Sequence, residues 1–243
     1  MKKKNNNTHC LLYSGAMLST LLLFSTMLFG QQTIFNIPSS DILERGKVYI
    51  EFDASFKPNS QISLGRFSSF VPRIVAGAGQ NVEVGLNLVG NIQPGADATT
   101  LVPAVKWRVY NGGDNGWSVV AGDNLYLPVR NKAYNIGNYG YLQVSKSFRT
   151  GTRLTVGGYH FTKGVVATNH RAGGQFGFEQ SVNKYINFNA DWYTGKHAVG
   201  YFTPGFAFKL SRKVTGYAGY SIGNSGVDNG NHFFYTAIGI SLN

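Results

Sequence analysis

Period-two alternation constrains this chain more than any other feature. In Lys47–Lys57 (KVYIEFDASFK), Val48, Ile50, Phe52, Ala54 and Phe56 are apolar or small, while Tyr49, Glu51, Asp53, Ser55 and Lys57 are polar or amphipathic. Successive side chains of a strand point to opposite faces, so a sheet separates the two sets. NVEVGLNLVG sets Val82, Val84, Leu86 and Leu88 against Glu83, Gly85 and Asn87. KYINFNADWY sets Ile186, Phe188, Ala190 and Trp192 against Asn187, Asn189, Asp191 and Tyr193, and KVTGYAGYSI and FFYTAIGISL repeat the pattern. About 12 such segments of about 8–13 residues follow Lys47, close to the ~9–11 residues of a transmembrane strand and longer than the ~5–6 of a globular one.

Composition and connections decide which face is outside. Charged residues are 14%, against about 25% in soluble domains, while aromatics reach 14% and there are 31 glycines. Beyond residue 30 no apolar run approaches the ~18 residues of a helical span. Short links such as RTGT (149–152), SVNK (181–184) and SRK (211–213) alternate with longer ones such as GNIQPGADATT (90–100), TKGVVATNHRAGG (162–174) and GNSGVDNGNH (223–232). Bacterial outer-membrane barrels alternate short periplasmic turns with longer external loops. TGKHA (194–198) is shorter than this alternation predicts.

The expected fold is all-β: one closed antiparallel transmembrane β-barrel of about 12 strands over residues 47–243, with a short N-terminal periplasmic segment, because closure satisfies every backbone group inside hydrocarbon. The apolar face then meets lipid and the polar face lines the interior. Three prolines, Pro72, Pro128 and Pro204, fall in expected strands and must sit at bulges or ends, because proline donates nothing to a ladder. Lys146 takes the lipid face, which is tolerable only near an interface.

The opening MKKKNNNTHC, then LLYSGAMLSTLLLFSTMLFG, reads as a signal peptide over residues 1–30, cut after Gly30. A retained anchor is the rival, weakened by Ser14, Ser19, Ser25 and Thr26. The single cysteine, Cys10, falls in this leader, so no disulfide is expected beyond it. The formal charge is +11, and +8 without Lys2, Lys3 and Lys4. Export argues against nucleic acid as the partner and favours anionic lipid, an anionic solute or plain solubility. In residues 31–46 (QQTIFNIPSSDILERG), Ser39 or Ser40 caps a short helix with Asp41, Glu44 and Gly46, tucked into or under the barrel mouth; a disordered periplasmic leader is the alternative.

Together, the leader, the alternating strands and the final FFYTAIGISL resemble bacterial outer-membrane β-barrel proteins. PRIVAGAGQNVEVGLNLVG resembles the strand–turn–strand repeats of small outer-membrane transporters. The resemblance is architectural and covers nearly all of the chain past the leader. It implies an outer-membrane location, contact with outer-membrane lipid, and insertion by the barrel-assembly machinery. Arg130, Lys132, Lys163, Arg171 and Lys196 in expected loops suit lipopolysaccharide phosphates.

No motif asks for covalent chemistry. Three of the histidines past the leader (His170, His197, His232) fall in expected loops and His160 near a strand end, with no GxSxG elbow. The oxygen-rich DNGNH (228–232) and GGDNG (112–116) read as turns, not metal loops, and GAGQN lacks the lysine of a phosphate loop. No catalytic residue, cofactor or metal is expected. Trp107, Phe148, Trp192, Phe202 and Tyr220 take the outer face as interface aromatics. Tyr49, Glu51, Asp53, Arg73, Glu83, Lys106, Arg108, Asn187, Asn189, Asp191 and Lys209 take the inner face as pore-lining residues, with Glu179 beside them. The expected function is a narrow pore for small polar or anionic solutes. A structural or surface-binding barrel with a plugged lumen, a lipid-modifying barrel enzyme and a soluble periplasmic β-protein are the alternatives.

Overall fold

The computed structural model describes residues 33–56, 67–90, 99–130, 135–224 and 232–242. The expected signal peptide, Lys132 and most of DNGNH lie outside the described residues. Twelve strands follow in order: β1 Val48–Phe56, β2 Phe67–Gly79, β3 Val82–Gly90, β4 Thr99–Asn111, β5 Trp117–Arg130, β6 Gly137–Ser147, β7 Thr152–Phe161, β8 Ala172–Ser181, β9 Ile186–Tyr193, β10 Tyr201–Lys209, β11 Val214–Gly223 and β12 Phe233–Leu242. Each pairs antiparallel with its sequence neighbours, and β12 returns to β1 from Val48↔Leu242 to Phe56↔Phe234, closing the barrel.

Alternation sorts the side chains as expected. Ile50, Phe52, Ile74, Val84 and Leu86 stay exposed on the outer wall, while Tyr49, Glu51, Asp53, Glu83 and Asn87 are buried inside. Such an apolar exterior suits hydrocarbon and would be an aggregation hazard in water. Short connections (80–81, 112–116, 148–151, 182–185, 210–213) gather at one end, which also holds the start of β1 and the end of β12; the longer ones lie at the other. Gln80 and Asn81 both have positive φ (52° and 62°), the two-residue hairpin turn whose twist matches the strands it joins. The β9–β10 link spans 194–200, longer than TGKHA suggested.

Only one of the three prolines behaves as expected. Pro128 lies beside a register shift in the β4–β5 ladder. Pro72 and Pro204 sit in unbroken ladders on one side, opposite Phe52 and Ala190. On the other side the ladder lapses: β2–β3 pairing begins at Arg73, and β10–β11 pairing skips Thr203 and Pro204. A ladder can forgo one missing donor without a bulge when only one neighbour loses the bond. Lys146 pairs with Trp117 at the turn end, where its Nζ donates to Asn115 O at 2.9 Å and lies 5.5 Å from the Trp117 ring centroid. The cation therefore sits at an interface, over an aromatic face.

Candidate functional site: the lumen and the segment inside it

The N-terminal segment is tucked into the barrel, but not as a helix. Residues 33–43 run inside from the turn end, 44–46 are exposed at its rim, and among these described residues there is no helical turn. Thr33 and Pro38 form an antiparallel bridge, and Ile34 N–H donates to Ile37 O at 2.9 Å, making a hairpin with Asn36 at its apex. Asp191 on β9 holds the hairpin. Its Oδ2 accepts the N–H groups of Phe35 (2.9 Å), Asn36 and Ile37 (3.0 Å), which curls three consecutive amides around one carboxylate. The Asn36 side chain donates to Asp191 Oδ1 at 3.0 Å and to Thr203 Oγ1 at 2.9 Å. Gln143 Nε2 donates to Pro38 O at 2.6 Å, and Leu43 N–H to Glu83 Oε2 at 3.1 Å.

The apolar half of the hairpin has its own socket. Ile34, Phe35 and Ile37 are at most 2% exposed. They press against inward-facing glycines of the wall. A Cβ on Gly205 would meet Phe35 Cζ at 2.7 Å, and one on Gly177 would collide with Ile34 Cδ1. Phe35 also meets the Tyr235 ring edge-on, centroids 5.5 Å apart.

Apart from Asp191, which is held by amides, the most buried charges inside the barrel are paired. Three ion pairs are direct cross-strand neighbours: Glu51↔Arg73, Glu83↔Lys106 and Arg153↔Glu179. Lys106 Nζ lies 2.7 Å from Glu83 Oε1, each side chain 2% exposed. Arg73 also reaches Asp53 at 3.1 Å and donates to Thr33 Oγ1 at 3.1 Å. Arg153 binds Glu179 and, through both terminal nitrogens, Asp41 of the inner segment at 2.7 and 2.9 Å. Burial alone would raise the Asp41 carboxyl, but Arg153, with Lys106 and Arg108 beyond it, holds it below the ordinary carboxylate range.

Toward the loop end the lumen is aromatic. Tyr139, Tyr141, Tyr159, Phe161 and Tyr193 cluster there, and two links fold inward, 162–171 burying Val166 and 194–200 burying His197. His197 Nε2 is 2.8 Å from the Tyr159 hydroxyl. Burial, aided by repulsion from His170, holds the His197 imidazole below its ordinary value. The folded loop thus favours the neutral ring. Its contribution is complete above the usual histidine range near ~6.5 and is lost as pH falls through the lowered folded value. We expect hydrogen exchange across 194–200, corrected for intrinsic rates, to rise between about pH 7 and 5 and that rise to vanish in His197→Gln. A flat profile in the unmodified chain would exclude this titration.

Of the residues assigned to the inner face, Tyr49, Glu51, Asp53, Glu83, Lys106, Asn189 and Asp191 are buried within it, and Arg73 nearly so. Arg108 and Lys209 are half-buried near the turn-end rim, and Asn187 is exposed there. They share the inward parity but not the constriction. Sequence reasoning missed Arg153, Gln143 and Thr203, and gave Asp41 to a helix cap. Arg153 follows a turn closely enough to be read as part of it, although it shares parity with Thr155 and Tyr159.

A closed backbone ladder, an apolar exterior and a polar, charged interior define a transmembrane β-barrel of the outer-membrane type. No protein-family model matches the sequence, and no curated protein matches it. Among solved structures, the KdgM porin in complex with disordered oligogalacturonate aligns over 80% of this chain and 98% of its own, at 8% identity and TM-score 0.53. The NanC porin aligns over 80% and 99%, at 12% identity and TM-score 0.52. At these identities the likeness establishes a barrel fold shared with porins.

Proposed function

We propose that this barrel is an outer-membrane pore for small polar or anionic solutes, closed in the described state by its own N-terminal segment. One observation carries the reading: the central space holds a chain segment as well as wall side chains. Barrels of about 8 strands fill with side chains and those of 16–18 leave an open channel; twelve lies between. A lumen that admits a hairpin, whose legs alone lie about 4.7–4.9 Å apart, has room for a small solute once the hairpin leaves. The hairpin is retained by hydrogen bonds, one bidentate ion pair and three apolar side chains, all reversible contacts. A bound oligogalacturonate in a barrel of like fold supports a polar, anionic cargo.

In this reading the turn end faces the periplasm, as in bacterial barrels generally, and Arg130, Lys163 and Lys196, exposed at the loop end, meet lipopolysaccharide phosphates. Insertion by the barrel-assembly machinery follows from the same class. In this reading the barrel needs no covalent chemistry, and His197 is engaged by Tyr159.

The test is single-channel current across a planar bilayer. The unmodified barrel should be mostly closed with brief openings, and a barrel lacking residues 33–40 should conduct steadily. Silence from both, with the barrel stably inserted, would favour the permanently plugged structural barrel, the reading to which the many hairpin contacts also lend weight.

A further inference from the structure

We infer that Asp41 occupies a carboxylate-binding site of the solute pathway, built on Arg153, and that a carboxylate-bearing solute arriving from the turn end competes for it and releases the hairpin. The inference rests on the pore reading and names what the pore recognises.

The geometry of the site is that of ligand recognition. A guanidinium presents two parallel N–H groups to one carboxylate, here Arg153 Nη1 and Nη2 to the two Asp41 oxygens at 2.7 and 2.9 Å. Arg153 belongs to the wall, whereas Asp41 belongs to the removable segment. Arg153 is also held by Glu179 of the wall, so it stays in place when the segment leaves, and its two terminal nitrogens lose Asp41 as acceptor and are open to another carboxylate.

Access favours the same site. The Asp41–Arg153 pair is 16% exposed on both sides, whereas the Lys106–Glu83 pair is 2% exposed and the Arg73 contacts are 9% or less. An anion entering at the turn end meets Arg153 first among the interior pairs. On either side of Asp41 the segment is anchored by Leu43 N–H on Glu83 and by Ser39 O, which accepts from Lys106 Nζ at 3.4 Å.

The experiment reads hairpin release directly, so it does not depend on conduction. Ser40, 5% exposed, is replaced by cysteine in a Cys10→Ser background, and labelling by a water-soluble maleimide is followed in the full folded barrel. Replacing chloride by gluconate at constant ionic strength should speed labelling about tenfold, a typical effect of one competing charge-assisted bidentate contact. Glucose should do nothing. Asp41→Asn should label fast in chloride alone. Arg153→Met should lose the gluconate dependence, and Arg153→Lys should keep part of it, with heat-dependent gel mobility showing that each variant is folded. Equal gluconate effects in the unmodified and Arg153→Met proteins would overturn the site. Conductance of the same samples separates the two ideas: gluconate-driven labelling in a silent barrel would retain the anion site and discard the pore, and conduction without gluconate-driven labelling would do the reverse.

Discussion

Gly177→Val is expected to unseat the N-terminal hairpin while leaving the barrel closed on itself. The new side chain would enter the space of Ile34 Cδ1 and lie close to Ile37 Cδ1, 3.1 Å from the added Cβ, with Thr155 Cβ of the wall at 3.2 Å. Its main collision is therefore with the hairpin. Valine is itself a good strand residue, so β8 loses nothing in propensity. Magnitudes decide whether the collision suffices. Burying Ile34, Phe35 and Ile37 contributes about 1.5–3 kcal/mol each, and ordering six backbone residues costs about 1–2 kcal/mol each. These sums nearly cancel, so the hairpin is retained by a margin of the size of its hydrogen bonds to Asp191, Thr203 and Gln143. An overpacking cost of about 1–3 kcal/mol then shifts its occupancy roughly 5- to 150-fold. Faster maleimide labelling at position 40 and a higher open fraction in planar bilayers would register the loss. Labelling and current equal to those of the unmodified chain would show that the hairpin relaxes around the new side chain and that the socket is not what retains it.

The wall of this barrel is legible in the sequence because its logic is local. Parity in KVYIEFDASFK places Ile50 and Phe52 outside and Glu51 and Asp53 inside, and the structure agrees. The same parity applied to β3 and β4 puts Glu83 and Lys106 on the inner face, though only the register makes them partners. What occupies the lumen follows a different logic. The hairpin has no periodicity, and its partners are far along the chain: Asp191 is 155 residues from Asn36, and Arg153 is 112 from Asp41. Ser39, Asp41 and Glu44 look like a helix start when only neighbours are considered. In the folded chain Asp41 is taken by Arg153, and Leu43 N–H, an amide of the expected first turn, is taken by Glu83. Gly177 and Gly205 look like weak points in strands, and only the packed hairpin reveals them as the floor of a socket. His197 was assigned to a loop correctly, but no local signal says that the loop folds inward onto Tyr159.

Lys106→Met should be the most damaging single change in the wall. It leaves Glu83 charged, 1% exposed and without its cation, while the carboxylate still accepts Leu43 N–H at 3.1 Å. Removing one partner of a buried ion pair typically costs about 3–5 kcal/mol, because the remaining charge is desolvated and uncompensated. Methionine fills most of the lysine stem's volume, so the loss is electrostatic and not a cavity effect. The double variant Glu83→Gln with Lys106→Met should recover most of the stability, since glutamine keeps a carbonyl oxygen for Leu43 and carries no charge. Urea unfolding in lipid vesicles, followed by tryptophan fluorescence, suits the question because Trp107 adjoins Lys106 and Trp117 lies on the paired strand. A midpoint unchanged in Lys106→Met would mean that water reaches Glu83, and the lumen at this level would then be open in the closed state. A midpoint lowered in the single variant and restored in the double would mark Glu83–Lys106 as fixed wall. The two ion pairs near the turn end would then differ in kind: this one dry and structural, and Asp41–Arg153 wetter and held by a segment that can leave. A pore closed from within needs both, since the wall must keep its shape when its occupant departs.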